Sequence, residues 1–561
     1  MGNVLAKEHA VAVSEPDGAG RSRASARTGG APPGSTREST VTVTRPRILS
    51  GLGRPQRFAP RPIVLLALVS CLYGLAQLLL VSPRLGIGWD EAVYASQFSS
   101  HAPPAVFSAP RAQGVPLLVA PVVALTNSVL VLRLYLTVIS SLALFGAFSV
   151  WLRIRPGRLV PVAALLYGSS WLSLFYGNQA MPNGYTALAA VAAVGFLLLS
   201  ERSRLAPVGL AGSLAVMSLM RPSDALVAAV PLVVTALVGL RRRRIVTSAA
   251  IAAGLAVGWG QWAIEAHARF GGFVTRLKEA GEHNGTGWNV SIVEHARALD
   301  GPTLCRFGAE CGAVSPVALT WWLAIPVMTA LGLWAAGRRR HLFPIALAAV
   351  TGLAMALPYL FYVDYAAPRF LMPAYALLSL PIAEAVVAGT RLRRPVAAVV
   401  IAGLVAHVAL QGAYAYRMAA VNHRDREAID AAVQELRRMG VRPPCMIYGQ
   451  SGVQIGYHLR CHSQGIIQRF AQRPPAPHPA GAGAGRAGGG RVQEPQAAAV
   501  RHDVARGRPA WPLEGPLPGL IRWPPRRRAV ARSPAGAACT RARARSAPEP
   551  SALIRRSGRA A

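Results

Sequence analysis

The chain has 561 residues, a formal net charge of +36 and 52% apolar residues. An apolar fraction of that size does not separate soluble from membrane proteins, but its distribution does: apolar stretches recur from Arg61 to Arg417, each of the roughly 17–23 residues needed to cross a ~30 Å hydrocarbon layer. A wholly disordered chain and a soluble enzyme of alternating amphipathic elements are both excluded. Nucleic acid is also excluded as a partner. The charge is carried by 58 arginines against two lysines, clustered beside apolar runs and in the tails, not interleaved with polar residues on a folded face.

In chain order, residues 1–60 are rich in Gly, Ser, Thr, Arg and Pro and read as a disordered cytoplasmic tail. The run 63–81 comes too late and is too long for a cleaved signal peptide, so it reads as the first membrane helix. Ten further runs follow at 129–151, 159–176, 184–200, 205–220, 224–240, 245–264, 317–336, 342–361, 370–389 and 395–415. A shorter, Pro-bounded patch at 115–125 reads as a re-entrant or interfacial helix. The expected fold class is therefore an all-α polytopic membrane protein with about eleven transmembrane helices over 61–417. The distribution of positive charge supports the count. With a cytoplasmic N-terminus, the cytoplasmic loops carry Arg153, Arg155, Arg158, Arg202, Arg204, Arg241 to Arg244, Arg338 to Arg340, Arg391, Arg393 and Arg394 against one acid, Glu201. The long loop 265–316 holds five basic and six acidic residues and falls on the other side.

Beyond His423 the pattern changes. Ile429, Val433, Leu436 and Met439 have helix spacing, Gly440 is a stop, and 445–449 reads as a short strand. Residues 418–472 thus look like the start of a small, incomplete α/β segment outside the membrane. From 473 to 561 there are 17 arginines and four acids among Pro, Ala and Gly. This basic low-complexity tail reads either as disordered chain or as a frameshifted stretch of GC-rich coding sequence. Cys305 and Cys311 lie close together in the long loop, and Cys445 and Cys461 flank the expected strand. Both pairs would be disulfides in an oxidising compartment, although spacing does not fix connectivity.

The first non-cytoplasmic loop opens with Gly86-Ile87-Gly88-Trp89-Asp90-Glu91-Ala92-Val93-Tyr94. Two carboxylates beside a membrane helix are costly unless they serve a site or pair with a cation. Adjacent side chains diverge on either a helix or a strand, so Asp90 and Glu91 are not expected to form a cooperating dyad. A purely structural role is open to them, with Asp90 capping a helix and Glu91 in its first turn. Among cations, Arg369 stands between prolines at a helix start, where a lipid phosphate would sit, and Arg221 is a second candidate with Asp224 near enough to neutralise it. A guanidinium suits a phosphate because its planar fork binds two oxygens at once.

The order and placement of these motifs resemble the GT-C membrane glycosyltransferases, in particular the protein O-mannosyltransferases and the aminoarabinose transferases of lipid A. The acidic pair is followed by Gly114-Val115-Pro116, by Met220-Arg221-Pro222, and by Pro368-Arg369-Phe370-Leu371-Met372-Pro373. The resemblance covers roughly 60–420. It implies a polyprenyl-phosphate-linked sugar as donor, a lipid, glycan or protein hydroxyl as acceptor, and Asp90 as the catalytic base beside Glu91. The leading expectation is thus a multi-pass protein of a bacterial plasma membrane acting at the outer face, with its C-terminus outside by the same helix count and charge rule. Some relatives bind a divalent metal near the acidic pair. His267, His283 and His295 in the long loop show no tight ligand spacing, so no metal ligand is assigned and no cofactor is certain. The competing expectation is a secondary transporter or lipid-carrier flippase, against which stand the missing internal repeat and the placement of ionisable residues at membrane edges.

Overall fold

The computed structural model describes residues 60–240, 242–306 and 311–464, and the strand 520–522. The two expected tails otherwise lie outside the described residues. In a hydrocarbon layer every backbone amide must be satisfied within its own segment, so each long apolar run closes into a helix. Among the described residues nine helices are long and apolar enough to cross a membrane, or ten if the pair α5 (Leu159–Gly168) and α6 (Trp171–Gly177), bent by 70° at the Ser169-Ser170 break, is one span. The protein is a multi-pass membrane protein. All eleven expected runs are helical. The remaining one, α8, has 15 residues and falls short of a full span by length alone.

The order is α1 (Pro60–Ala76, extended by a π-helical turn to Val81), α2 (Trp89–Ser96), α3 (Gly114–Val123), α4 (Val129–Leu152), then α5, α6, α7 (Pro182–Leu199), α8 (Ala206–Met220), α9 (Pro222–Gly239) and α10 (Arg244–Arg269). After the loop helices α11 (Phe273–His283) and α12 (Ile292–Arg297) come α13 (Pro316–Arg338), α14 (Leu342–Phe361), α15 (Met372–Gly389) and α16 (Arg394–Arg438). Prolines open several of them at the first or second position, where the missing N–H costs nothing. The buried centre is formed by α7 and α15, while α1, α13 and α16 turn apolar faces such as Leu68, Leu72, Leu331, Val399 and Val405 outward, as lipid contact requires. The patch expected at 115–125 is α3, a short apolar helix.

The loops sort into two ends. At one end Arg155 and Arg339 both pair with the buried Glu384, and Arg243 donates to the carbonyl of Ser203. Four of the five loops expected to be cytoplasmic thus meet in two pairs. At the other end gather 82–128, 177–183, 265–306 and 362–371, linked by contacts described below. We call this the site end.

Two expectations change. The membrane run 395–415 and the helix expected at 424–439 are one continuous α16 of 45 residues. No Gly or Pro occurs between Gly412 and Met439, so nothing stops it. At 1.5 Å per residue it is about 68 Å long, far more than a bilayer core, and its last turns form an arm beyond the bundle at the site end. Gly440 ends it with φ +84°. The expected strand is β3 (Met446–Tyr448 in a five-strand numbering whose β1 is Cys305–Arg306 and β2 Tyr365–Ala366). It is followed by α17 (Gly452–Leu459) and the parallel β4 (His462–Gln464). A three-residue strand from the basic tail, β5 (Leu520–Arg522), pairs on its other side. Cys445 and Cys461 are disulfide-bonded across this unit with Cα atoms 4.9 Å apart, and Cys305 with Cys311 at 5.6 Å.

Candidate active site

The acidic pair begins α2, but not as the sequence suggested. Gly88 is the N-cap, which makes Asp90 the second helical residue and not the cap. Glu91, at the third, accepts from the Gly88 N–H at 2.8 Å and is the capping residue. Neighbouring residues on a helix diverge by about 100°, and the two carboxylates end in different surroundings.

Glu91 is buried behind α2. Its Oε1 accepts from Arg133 Nη1 and from the Ala180 N–H at 2.8 Å. Its Oε2 accepts from Arg133 Nη2 and Gly88 N, each at 2.8 Å, and from Arg426 Nη1 at 3.5 Å. Arg133 also donates to the carbonyls of Leu85, Gly86 and Asn178. Burial raises the Glu91 pKa, and Arg133 and Arg426 more than reverse this, so it lies below the ordinary glutamate value.

Asp90 faces the other way and is 30% exposed. Arg111 Nη2 lies 2.6 Å from Oδ1, and Arg369 Nη2 3.3 Å from Oδ2. Burial raises the Asp90 pKa as well, but the two guanidiniums prevail and hold it below the usual aspartate range. The carboxylate thus stays ionised at neutral pH. Aromatic faces line both cations. Arg111 stands 4.8 Å over Tyr94 and 5.4 Å over Trp89; Arg369 stands 5.4 Å over Phe370 and 5.9 Å over Tyr176.

Each arginine is presented by a fixed loop. The Arg111 backbone carbonyl accepts from Arg276 Nη2 at 2.9 Å, and the Ala109 carbonyl from Arg276 Nε at 3.1 Å. Arg276 is buried between Trp262 and Phe270 and pairs with Glu265 at 3.0 Å, which also accepts from Gln113. On the other side, β2 pairs antiparallel with β1, which holds Cys305. The chain then turns through a 3₁₀ segment, Pro368–Leu371, that carries Arg369. Arg369 Nη1 also donates to the Thr303 carbonyl at 3.3 Å.

Arg221 is not on Asp90. Its Nε pairs with Asp224 at 2.9 Å and its Nη2 donates to the Tyr359 hydroxyl at 2.5 Å, while that hydroxyl donates to Asp224. The Phe370 ring separates the two candidate arginines, with Arg221 4.8 Å from its centroid. The three histidines do not converge: His267 and His283 are exposed, and His295 is buried against the Tyr359 carbonyl at 3.2 Å, with burial lowering its pKa to about 4. Among the described residues no three His, Cys, Asp or Glu side chains gather as metal ligands. With arginines on both Asp90 oxygens and five donors on Glu91, the donor set does not fit a divalent cation.

Sequence reasoning missed Arg111, Arg133, Arg276 and Arg426. Arg133 was detectable as a lone charge in the first turns of an apolar helix, and Arg111 as the one cation within Pro110 to Pro116. Beneath the site, an apolar cavity of about 390 Å³ runs between α5, α6, α13, α15 and α16, lined by Trp171, Trp321, Tyr375, Leu378 and Leu404.

No family model and no curated protein sequence matches the chain. Solved structures do. The ArnT of Cupriavidus metallidurans bound to undecaprenyl phosphate is similar with a TM-score of 0.51 at 13% identity, over 72% of this chain and 86% of that one. The oligosaccharyltransferase AglB of Archaeoglobus fulgidus, in complex with an inhibitory peptide and a dolichol-phosphate, is similar with a TM-score of 0.44 at 13% identity, over 70% and 63%. On the ArnT likeness, this chain has the fold of the GT-C membrane glycosyltransferases.

Proposed function

We propose that the protein is a glycosyltransferase that moves a sugar from a polyprenyl-phosphate-linked donor to an acceptor hydroxyl, with Asp90 as general base. The observation that carries this reading is the half-buried Asp90 carboxylate held between Arg111 and Arg369 at one end of a GT-C bundle. The ArnT structure that shares the fold is one bound to undecaprenyl phosphate, and a phosphate of that kind is what a pair of guanidiniums recognises.

Arg111 and Arg369 keep Asp90 ionised but lower its proton affinity, which weakens it as a base. An arriving donor phosphate competes for the Arg369 fork. As that contact passes to phosphate, Asp90 keeps Arg111 alone and its basicity rises. The acceptor hydroxyl then gives its proton to Asp90 as its oxygen attacks the anomeric carbon, while the phosphate leaves from the opposite face with its charge taken up by Arg369. Glu91 holds α2 and does not react. Arg221, neutralised by Asp224, supports Phe370 behind Arg369. The cavity lined by Trp321 and Tyr375 continues down the helix that begins after Arg369 and suits an apolar chain. The site end is extracytoplasmic in a bacterial plasma membrane, with the arginine-rich loops inside.

The transporter reading is the weaker one. The buried pairs involving Arg133, Glu265 and Glu384 all sit within the first or last turns of their helices, not at midspan where a transported substrate would bind. Transfer of radiolabelled sugar in membranes containing the protein tests the proposal. Covalent transfer that depends on the protein is expected, and movement of the lipid without transfer would overturn it. A cysteine placed at 242 should resist an impermeant reagent in intact cells; labelling there would reverse the orientation.

A further inference from the structure

The Gly86-x-Gly88 turn ahead of α2 and the arm of α16 beyond the bundle have no part in the chemistry above, yet they meet. Arg426, on the arm, is 8% exposed. Its Nη1 donates to the Gly86 carbonyl at 2.5 Å and to Glu91 at 3.5 Å, and its Nη2 to Gln179 Oε1 at 3.1 Å. Neither glycine could gain a side chain without its neighbours shifting. A Cβ at Gly86 would lie 3.1 Å from the Cβ of Arg426, and one at Gly88 would lie 2.9 Å from Glu91 Oε2 and 3.1 Å from Arg426 Nη2. The two glycines are therefore a cradle for this arginine. Beyond it, Val453 and Tyr457 of α17 are buried in the same apolar cluster as Ala92, Val93 and Ala95 of α2.

We propose that the arm of α16 positions the reacting carboxylate: Arg426, seated on Gly86 and Gly88 and tied to Glu91, fixes α2 so that Asp90 faces Arg111 and Arg369. Arg426 is a positioning residue, since it reaches Asp90 only through Glu91 and the helix. Its functional consequence rests on the reading of Asp90 as the base; its geometry does not. The Gly-x-Gly spacing, the arm's length beyond the bilayer and the buried contacts of α17 then have one purpose. The small unit outside the membrane is mechanically part of the site.

The test uses the full chain in lipid nanodiscs and needs no donor. Water-soluble carbodiimides attack protonated carboxyls, so the rate at which Asp90 is modified at pH 5, read by peptide mass spectrometry, reports how firmly the two arginines hold it ionised. Arg426→Gln is expected to raise that rate about tenfold, the change given by one unit of pKa. Arg426→Lys should fall between this variant and the wild type. Gly88→Ala keeps every charge and should still raise the rate several-fold, and it decides the matter if Arg426→Gln does not fold. Glu384, paired with two arginines at the opposite end, is the internal control. Unchanged Asp90 reactivity in the folded variants, or an equal rise at Glu384 showing general loosening, would overturn the proposal. Binding of undecaprenyl phosphate is measured alongside. Its absence in the wild type counts against the proposed function, while the carbodiimide result still decides the role of Arg426.

Discussion

Asp90 and Glu91 are neighbours on one turn of α2, and both are carboxylates paired with two arginines. One is 30% exposed, with a single contact on each oxygen, and its partners come from loops. The other is 1% exposed, accepts from five donors, and its arginines come from the long helices α4 and α16. The same charge arrangement thus serves opposite ends. A carboxylate with every lone pair taken by rigid partners is fixed structure. A carboxylate held by two long cations beside solvent can exchange one partner for a phosphate and regain its proton affinity.

The largest expected effect of breaking this pattern is on stability, at Glu91. Glu91→Gln leaves Arg133 and Arg426 buried without their anion, and removing one partner of a buried pair costs about 3–5 kcal/mol. A steep fall in monodisperse protein and in thermal midpoint should follow. Adding Arg133→Met should restore part of it, because an apolar replacement removes the uncompensated charge. A Glu91→Gln variant as stable as the wild type would erase the distinction between the two carboxylates.

Arg369→Ala comes next. It should leave the fold intact and weaken binding of undecaprenyl phosphate by about 1.5–3 kcal/mol, the loss of a charge-assisted hydrogen bond. Arg369→Lys should recover only part, since a point charge lacks the planar fork. Equal binding in the alanine variant would make Arg369 an anchor of its own loop and nothing more.

The smallest effect is in the pH profile. The depressed pKa of Asp90 means that its ionised, paired form persists above the ordinary aspartate value of 3.8 and is lost only as pH falls below it. The acid limb of kcat/KM should therefore lie below about pH 4 in the wild type. Arg111→Gln removes the closest cation and leaves the burial that raises the pKa, so the limb should move up by about one unit or more. An unmoved limb would mean that another group sets it.

Much of the fold was legible because lipid imposes it. Every apolar run became helical, and loops that carry arginine clusters meet in pairs, Arg155 with Arg339 through Glu384 and Arg243 with Ser203. The site was legible only in part. Asp90, Glu91 and Arg369 stood out as charges beside membrane helices, and the divergence of the acidic pair followed from helix geometry. That Asp90 and not Glu91 would react came from the family resemblance alone; helix geometry could not choose between them, because the choice depends on Gly88 taking the cap and on Arg133 reaching back to Glu91 across 42 residues. Arg426 lies 335 residues from Glu91, a separation that no local pattern reports. Arg221 ranked behind Arg369 in sequence because Asp224 stands near enough to neutralise it; the structure shows that pair and adds the Tyr359 hydroxyl, 138 residues away, which no local pattern reports.

The most direct test of the central claim is sugar transfer by Asp90→Asn at matched protein levels, with thermal stability measured on the same preparation. Asparagine keeps the shape and can still accept a hydrogen bond from Arg111, but it cannot take a proton as a carboxylate does. A general base contributes about 10²–10⁴-fold to a rate. The account predicts a normally inserted protein with a thermal midpoint close to that of the wild type and transfer reduced by at least ~10²-fold. Full transfer activity in Asp90→Asn would contradict it.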